Sequence, residues 1–263
     1  MTRPARLGAV AYLNVRPLVY QLDRHPELVS LRFDPPSVCA ELLARGEIDL
    51  GTVPSITYLD RPGDRIVPGL CIGSDGAVAS VAIFTRRPMA DVRRIALDAS
   101  SRTSAMLTRI LCARFFAIAP ELVSHPPDLP AMLAAADAAL LIGDAALFAD
   151  YERYGAEKID LGLAWTELTG LPFVWAFWSG PPGAVTPEVV TLLQQTAETG
   201  MRHRDEIADA YCGDDDLRRV IARAYLAQHL MFRMDERALA GLRRYYEEAA
   251  ALGLGVRRQP EFF

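Results

Sequence analysis

The sequence is poor in the residues that hold metals or form redox pairs. Its four cysteines, Cys39, Cys71, Cys112 and Cys212, are far apart and show no Cys-x-x-Cys spacing, which excludes the usual zinc-site and redox-dithiol patterns. The four histidines, His25, His125, His203 and His229, are equally scattered, and none makes a helical ligand pair with another. No metal is expected, and reduced buried thiols are the simplest reading of the cysteines. A basic block is also missing. With 28 basic and 33 acidic residues the net charge is -5, so the phosphate-neutralising footprint of a nucleic-acid binder is absent. No run approaches the roughly 18 apolar residues of a membrane-spanning helix. The N-terminal stretch reaches Asn14 and Arg16 before the apolar centre of a secretory signal can form. The expectations are a soluble cytoplasmic protein, no nucleic acid and no stable membrane insertion.

What is present is ordinary globular material, 51% hydrophobic and 23% charged. The 263 residues suit one large domain or two closely joined lobes. An acidic chain can still bind a small anion where backbone N–H groups at helix starts outweigh the global repulsion.

The order of elements reads as α/β. Arg6 to Val10 forms a buried strand, and Tyr12-Leu13-Asn14 leads into a helix whose first turn holds Pro17, with Asn14 as N-cap. Val29 to Asp34 is a strand, a helix runs from Ser37 to about Gly46, and Asp49 to Val53 is a strand followed by Pro54-Ser55 and a short helix. The glycine-bearing apolar region from Ile66 to Thr85 predicts paired strands. Strand 94–98, the cap-rich turn Ser100-Ser101-Arg102-Thr103-Ser104 and a helix to about Phe116 follow. The segments 122–124, 128–135, 138–142 and 144–151 then alternate strand and helix, and 173–179 is a strand. The last third predicts three helices near 187–211, 214–230 and 235–252, capped at Thr186, Asp214 to Asp216 and Asp235.

Glu47 to Asp60 has a counterpart ninety residues on, Asp137 to Asp150, with Leu50/Leu140 and Asp60/Asp150 identical. The correspondence predicts two similar α/β lobes, each offering strand C-termini and helix N-termini to a shared crevice. The loops at Asn14, Ser55, Ser100–Ser104 and Gly143–Asp144 would converge there. Crossovers near Phe84–Arg86 and Trp178–Gly180 would make a two-strand hinge, so that residues 1–85 and 180–263 form lobe one and 86–179 lobe two.

Several strings, in this order and spacing, resemble one family across nearly the whole chain: Gly8-Ala9-Val10-Ala11-Tyr12-Leu13-Asn14-Val15-Arg16-Pro17-Leu18, Asp49-Leu50-Gly51-Thr52-Val53-Pro54-Ser55, Leu97-Asp98-Ala99-Ser100-Ser101-Arg102-Thr103-Ser104, Leu140-Leu141-Ile142-Gly143-Asp144-Ala145-Ala146 and Thr169-Gly170-Leu171-Pro172-Phe173-Val174. The family is that of chorismate dehydratases in the futalosine route to menaquinone. The sister enzyme of that route, acting on cyclic dehypoxanthine futalosine, typically carries Cys-Pro-Asn-Asp where Tyr12-Leu13-Asn14 stands here. Val15 replaces the Ser or Thr that the family often has after the asparagine. The resemblance implies a type II periplasmic-binding-protein fold with a helical C-terminal segment. It also implies conversion of chorismate to 3-[(1-carboxyvinyl)oxy]benzoate and water without a cofactor, chorismate being the small anionic partner. The oligomeric state is open. A non-catalytic solute receptor or a ligand-sensing domain of the same fold is the competing reading.

The resemblance points to Asn14 as the catalytic residue and to Ser80 near the substrate. Ser100, Ser101, Thr103 and Ser104 are substrate-binding candidates through hydroxyls and exposed N–H groups at a helix start, where plain capping is the alternative; at least one should cap and another bind. Ser55, Gly143 and Asp144 complete the candidate set, with capping again the alternative for Ser55 and Asp144. The aromatic set Trp165, Phe173, Trp175, Phe177 and Trp178 can wall a site or simply be core.

Overall fold

A computed structural model describes residues 3–263. Along the chain the strands are β1 (Ala5–Val10), β2 (Val29–Asp34), β3 (Leu50–Pro54), β4 (Arg65–Ile66), β5 (Leu70–Ser74), β6 (Val81–Thr85), β7 (Arg94–Asp98), β8 (Glu121–His125), β9 (Ala138–Ile142), β10 (Glu157–Asp160), β11 (Phe173–Gly180) and β12 (Met231–Arg233). The α-helices are α1 (Pro36–Ala44), α2 (Thr103–Arg114), α3 (Leu129–Ala135), α4 (Gly143–Leu147), α5 (Leu161–Thr169), α6 (Pro187–Arg202), α7 (Arg204–Cys212), α8 (Asp216–Ala224) and α9 (Glu236–Ala251).

The strands form two sheets. One is seven-stranded in the order β12-β5-β11-β3-β1-β2, with β4 on β11; the other is five-stranded in the order β10-β6-β9-β7-β8. We call the layers built on them lobe one and lobe two. The two orders repeat the same plan: two parallel pairs on a central first strand (β2-β1-β3 and β8-β7-β9), then one antiparallel strand delivered by the crossing chain (β11 or β6). β3 and β9 hold equivalent places, and both are buried along their whole length, as expected of parallel strands covered on both faces. The internal similarity seen in the sequence falls on this pair.

The antiparallel crossing strands moved the expected boundaries. β6 pairs with β9 and β10 in lobe two, while β11 pairs with β3, β4 and β5 in lobe one. The chain therefore crosses between Ser74 and Val81 and returns between Thr169 and Phe173, ahead of Phe84–Arg86 and Trp178–Gly180. β5 and β6 do not pair with each other; an apolar run this continuous carries no mark of where it changes sheets. In the C-terminal third, the caps at Thr186, Asp215 and Asp235 each accept an N–H of the first turn of α6, α8 and α9. The expected first helix is broken at His203 into α6 and α7, and the expected second ends in a π turn over Tyr225–His229 before β12 adds to the sheet edge. Among the described residues no helix is long and apolar enough to cross a membrane.

Candidate active site

The lobes border a cavity of about 70 Å³ whose lining includes Tyr12 and Asn14 from lobe one, Ser101, Thr103 and Gly143 from lobe two, and Trp175 of β11. No Asp, Glu, His or Lys lines it. A wider groove on the outside of lobe one sets Asp23 and Glu206 beside Arg16, a charge balance poorly suited to an anion.

Asn14 sits on the 3-10 turn Leu13–Val19, not at the head of an α-helix. Pro17 inside the turn has no N–H to give, and the bonding is of the i to i+3 kind from the start, with Val15 N–H donating to Tyr12 O at 3.2 Å. The expected N-cap role is not found: Tyr12 precedes the turn and no side chain caps it. Asn14 lines the cavity, and its buried Oδ1 has no protein partner. Beside it lies Tyr225 of the π turn, whose hydroxyl is 2.6 Å from Ser80 Oγ. Burial pushes the Tyr225 phenol up, and the adjacent Ser80 hydroxyl and Asn14 amide pull the other way. Ser80 is 2% exposed and meets Asn14 through Tyr225 from behind the cavity wall.

The peptide before Ser80 is held with force. Ala79 has φ of 63°, a left-handed conformation that costs a residue with a Cβ about 1–2 kcal/mol. Asp160 offsets this by accepting the N–H groups of Val78 at 3.0 Å and Ala79 at 2.7 Å, while Lys158 Nζ donates to Ala79 O at 2.5 Å. These bonds hold the backbone before Ser80 in one conformation.

On the opposite wall, the turn before α2 directs its donors. Asp98 takes the N–H and the hydroxyl of Ser100 on Oδ1, at 2.9 and 2.6 Å, and Ser101 N–H donates to Asp98 O at 3.0 Å. Burial raises the Asp98 carboxyl, against the pull of the Ser100 donors. α2 then starts without any side-chain cap, so the expectation that one of the four hydroxyls would cap is corrected. Ser100 is occupied by Asp98, and Thr103 Oγ1 accepts Ile56 N–H at 3.3 Å. Ser101 Oγ is buried without a partner. The start of this twelve-residue helix, whose first-turn N–H groups carry the positive end of its dipole, lines the cavity through Ser101 to Ser104. Ser100, Arg102 and Ser104 also line the cavity.

The remaining candidates divide. Gly143 lines the cavity with φ of 59°, and a Cβ there would lie 2.7 Å from the Tyr12 ring; only glycine allows this approach. Asp144 does not cap α4 and does not line the cavity. Its Oδ1 accepts Leu13 N–H at 3.2 Å and its Oδ2 accepts the Tyr211 hydroxyl. Ser55 is fully buried, donating to Val174 O at 2.8 Å, and lies outside the cavity. Of the aromatic set only Trp175 lines it, with Nε1 donating to Ser74 Oγ at 3.2 Å, while Trp165, Phe173, Phe177 and Trp178 are core. Sequence reasoning missed Tyr225, Tyr211 and Asp160, which reach the site from residues distant in sequence. Among the described residues no cluster of three or more His, Cys, Asp or Glu is arranged to hold a metal.

Comparison with known proteins fits this geometry. Protein AF1704 from Archaeoglobus fulgidus superposes with a TM-score of 0.79 at 20% identity, over 96% of this chain and 99% of its own. The alkanesulfonate-binding protein SsuA from Xanthomonas axonopodis pv. citri, bound to MOPS, gives 0.72 at 19% identity over 98% and 96%. The Candida albicans CA3427 gene product, described as having the generic periplasmic-binding-protein fold, gives 0.68 at 10% over 100% and 98%. The fold is thus that of two-lobed periplasmic binding proteins. Chorismate dehydratase from Thermus thermophilus is 30% identical over 277 residues, covering 96% of each chain. Residues 5–251 match the family described as menaquinone biosynthesis. With that match over most of its length, the chain belongs to the menaquinone-biosynthesis family.

Proposed function

We propose that the protein is a hydro-lyase that converts chorismate to 3-[(1-carboxyvinyl)oxy]benzoate and water in menaquinone biosynthesis. The observation that carries the reading is the pairing, across one cavity, of an uncapped α2 start bearing the unpartnered Ser101 hydroxyl with the side-chain amide of Asn14. Chorismate is a dianion, and a helix N-terminus supplies carboxylate donors, here with Arg102 also lining the cavity. The related Thermus dehydratase and the Tyr12-Leu13-Asn14 string support chorismate over the sister enzyme's substrate.

The proton lost is on the ring carbon bearing the enolpyruvyl ether. It is conjugated through a double bond to the ring carboxylate, so its removal leaves a delocalised carbanion that expels the neighbouring hydroxyl and becomes aromatic. No lining side chain is a strong base; the substrate's own enolpyruvyl carboxylate takes the proton, a step made efficient by intramolecular proximity, and the proton passes to the departing hydroxide, which leaves as water. Asn14 offers a donor and an acceptor on one planar group, holding the reacting geometry and hydrogen-bonding the developing charge or the departing hydroxyl. The Ser80–Tyr225 pair fixes the side of the amide turned away from the cavity.

Incubation of purified protein with chorismate, followed by mass and ultraviolet detection, should show the aromatic product with one water lost. Chorismate bound at micromolar affinity and recovered unchanged would mean a receptor. Replacing Ser101 with Ala should weaken chorismate binding by about 1–3 kcal/mol, the worth of a hydrogen bond to a charged group, with little change in kcat. Calorimetric titration checks this, and an unaltered affinity would remove Ser101 from the site. Thr103→Ala should show a mixed loss, because its hydroxyl already serves Ile56 N–H.

A further inference from the structure

The backbone that carries Asn14 is gripped by the other lobe. Asp144 belongs to α4 of lobe two, yet both its carboxylate oxygens are spent on lobe one: Oδ1 on Leu13 N–H, directly before Asn14, and Oδ2 on the hydroxyl of Tyr211 in α7. That hydroxyl also stands 3.1 Å from Ala11 O, so the pair spans both ends of the Ala11–Leu13 bend. The Tyr211 ring is backed by the Arg16 guanidinium at 5.2 Å, which lies on its other side 4.2 Å over Phe33. Next to Asp144, the Gly143 backbone packs against the Tyr12 ring.

An ionised carboxylate is an acceptor-only group with two oxygens, and hydrogen bonds to it are about twice as strong as neutral ones. That chemistry suits one group joining a backbone N–H and a phenol across a gap. It suits substrate contact poorly, since the cavity is built for an anion and the carboxylate does not line it. Burial raises the Asp144 carboxyl, opposed first by the Tyr211 donor and then by Leu13 N–H.

We propose that Asp144 is a positioning residue that, through Leu13 N–H and the Tyr211 hydroxyl, locks the Asn14 turn into its reacting position when the lobes come together. Closure and assembly of the site are then one event: the carboxylate donors arrive on α2 of lobe two, and the same movement brings the group that fixes Asn14 on lobe one. The inference rests on the dehydratase reading for its kinetic consequence but not for its structural one.

The test uses the full chain, with kcat and KM for chorismate, thermal melting, and small-angle X-ray scattering without ligand. Asp144→Ala should lower kcat/KM on the order of 10- to 100-fold, the equivalent of charge-assisted hydrogen bonds, and should scatter as a more open particle. Its melting temperature should stay near that of the parent, because neither lobe's core is touched. Tyr211→Phe should give part of the same loss, and the double variant should be no worse than Asp144→Ala alone, as for two residues acting through one contact. Asp144→Asn, whose Oδ1 can still accept Leu13 N–H, should recover part of the activity. The proposal is overturned by a kcat/KM for Asp144→Ala within twofold of the parent, by single losses that multiply in the double variant, or by an unchanged scattering curve. If the parent protein itself leaves chorismate unchanged, the dehydratase reading fails on its own, and the scattering comparison still decides whether Asp144 holds the lobes together.

Discussion

Asn14→Ala should bind chorismate with nearly the parent affinity and turn it over 10²–10³ times more slowly. Losing one preorganised donor at a developing charge typically costs this much, and the carboxylate-binding wall on α2 is unaffected by the change. Asn14→Asp is the more discriminating variant. A carboxylate in a cavity that has none would repel the dianion and could not donate to the leaving hydroxyl, so activity should stay low. Stopped-flow traces under single-turnover conditions separate binding from chemistry. An Asn14→Asp protein as fast as the parent would show that this position takes the proton, and the substrate-assisted step would be wrong.

The next largest effect is expected far from the chemistry, at Gly200. α6 lies directly behind the Asn14 turn, and a Cβ on Gly200 would stand 2.1 Å from the carbonyl oxygen of Pro17. The obstruction is backbone, with no side chain to swing aside. Either α6 or the turn must move. Overpacking of this kind costs about 2–3 kcal/mol, which for a chain of this size lowers the melting temperature by roughly 5–10 °C. The turn is the lighter element, so Gly200→Ala should also displace Asn14 and reduce kcat by about 10²-fold, as misplacement on the order of 1 Å does. Calorimetry and steady-state kinetics on one preparation check both parts. A melting temperature and rate equal to the parent would mean that the contact relaxes freely.

The sequence shows the α/β alternation, the strand–turn–helix signature at Ser100–Ser104 and the equivalence of β3 and β9, because each depends on neighbours along the chain. It does not show what the tertiary contacts decide. The hydroxyls before α2 look like caps, but Asp98 occupies Ser100 and Ile56 occupies Thr103, which leaves the helix start open. Asp144 likewise looks like a cap for α4, whereas its partners lie on another lobe. Tyr211 and Tyr225 sit in a C-terminal third whose pattern announces helices only, and no local signal marks a tyrosine that will meet Ser80 from 145 residues away. The break at His203 and the short β12 were hidden for the same reason: α6 is shaped by the turn it packs on, and β12 by the sheet edge it joins.

The most direct measurement of the central claim is a crystal structure of the Asn14→Ala protein with chorismate. Unreacted chorismate is expected between the lobes, with one carboxylate on the N–H groups at the start of α2 and the Ser101 hydroxyl, and the ring carbon bearing the hydroxyl turned toward residue 14. Chorismate lying in the outer groove beside Arg16, or in the cleft with both carboxylates directed away from α2, would contradict it.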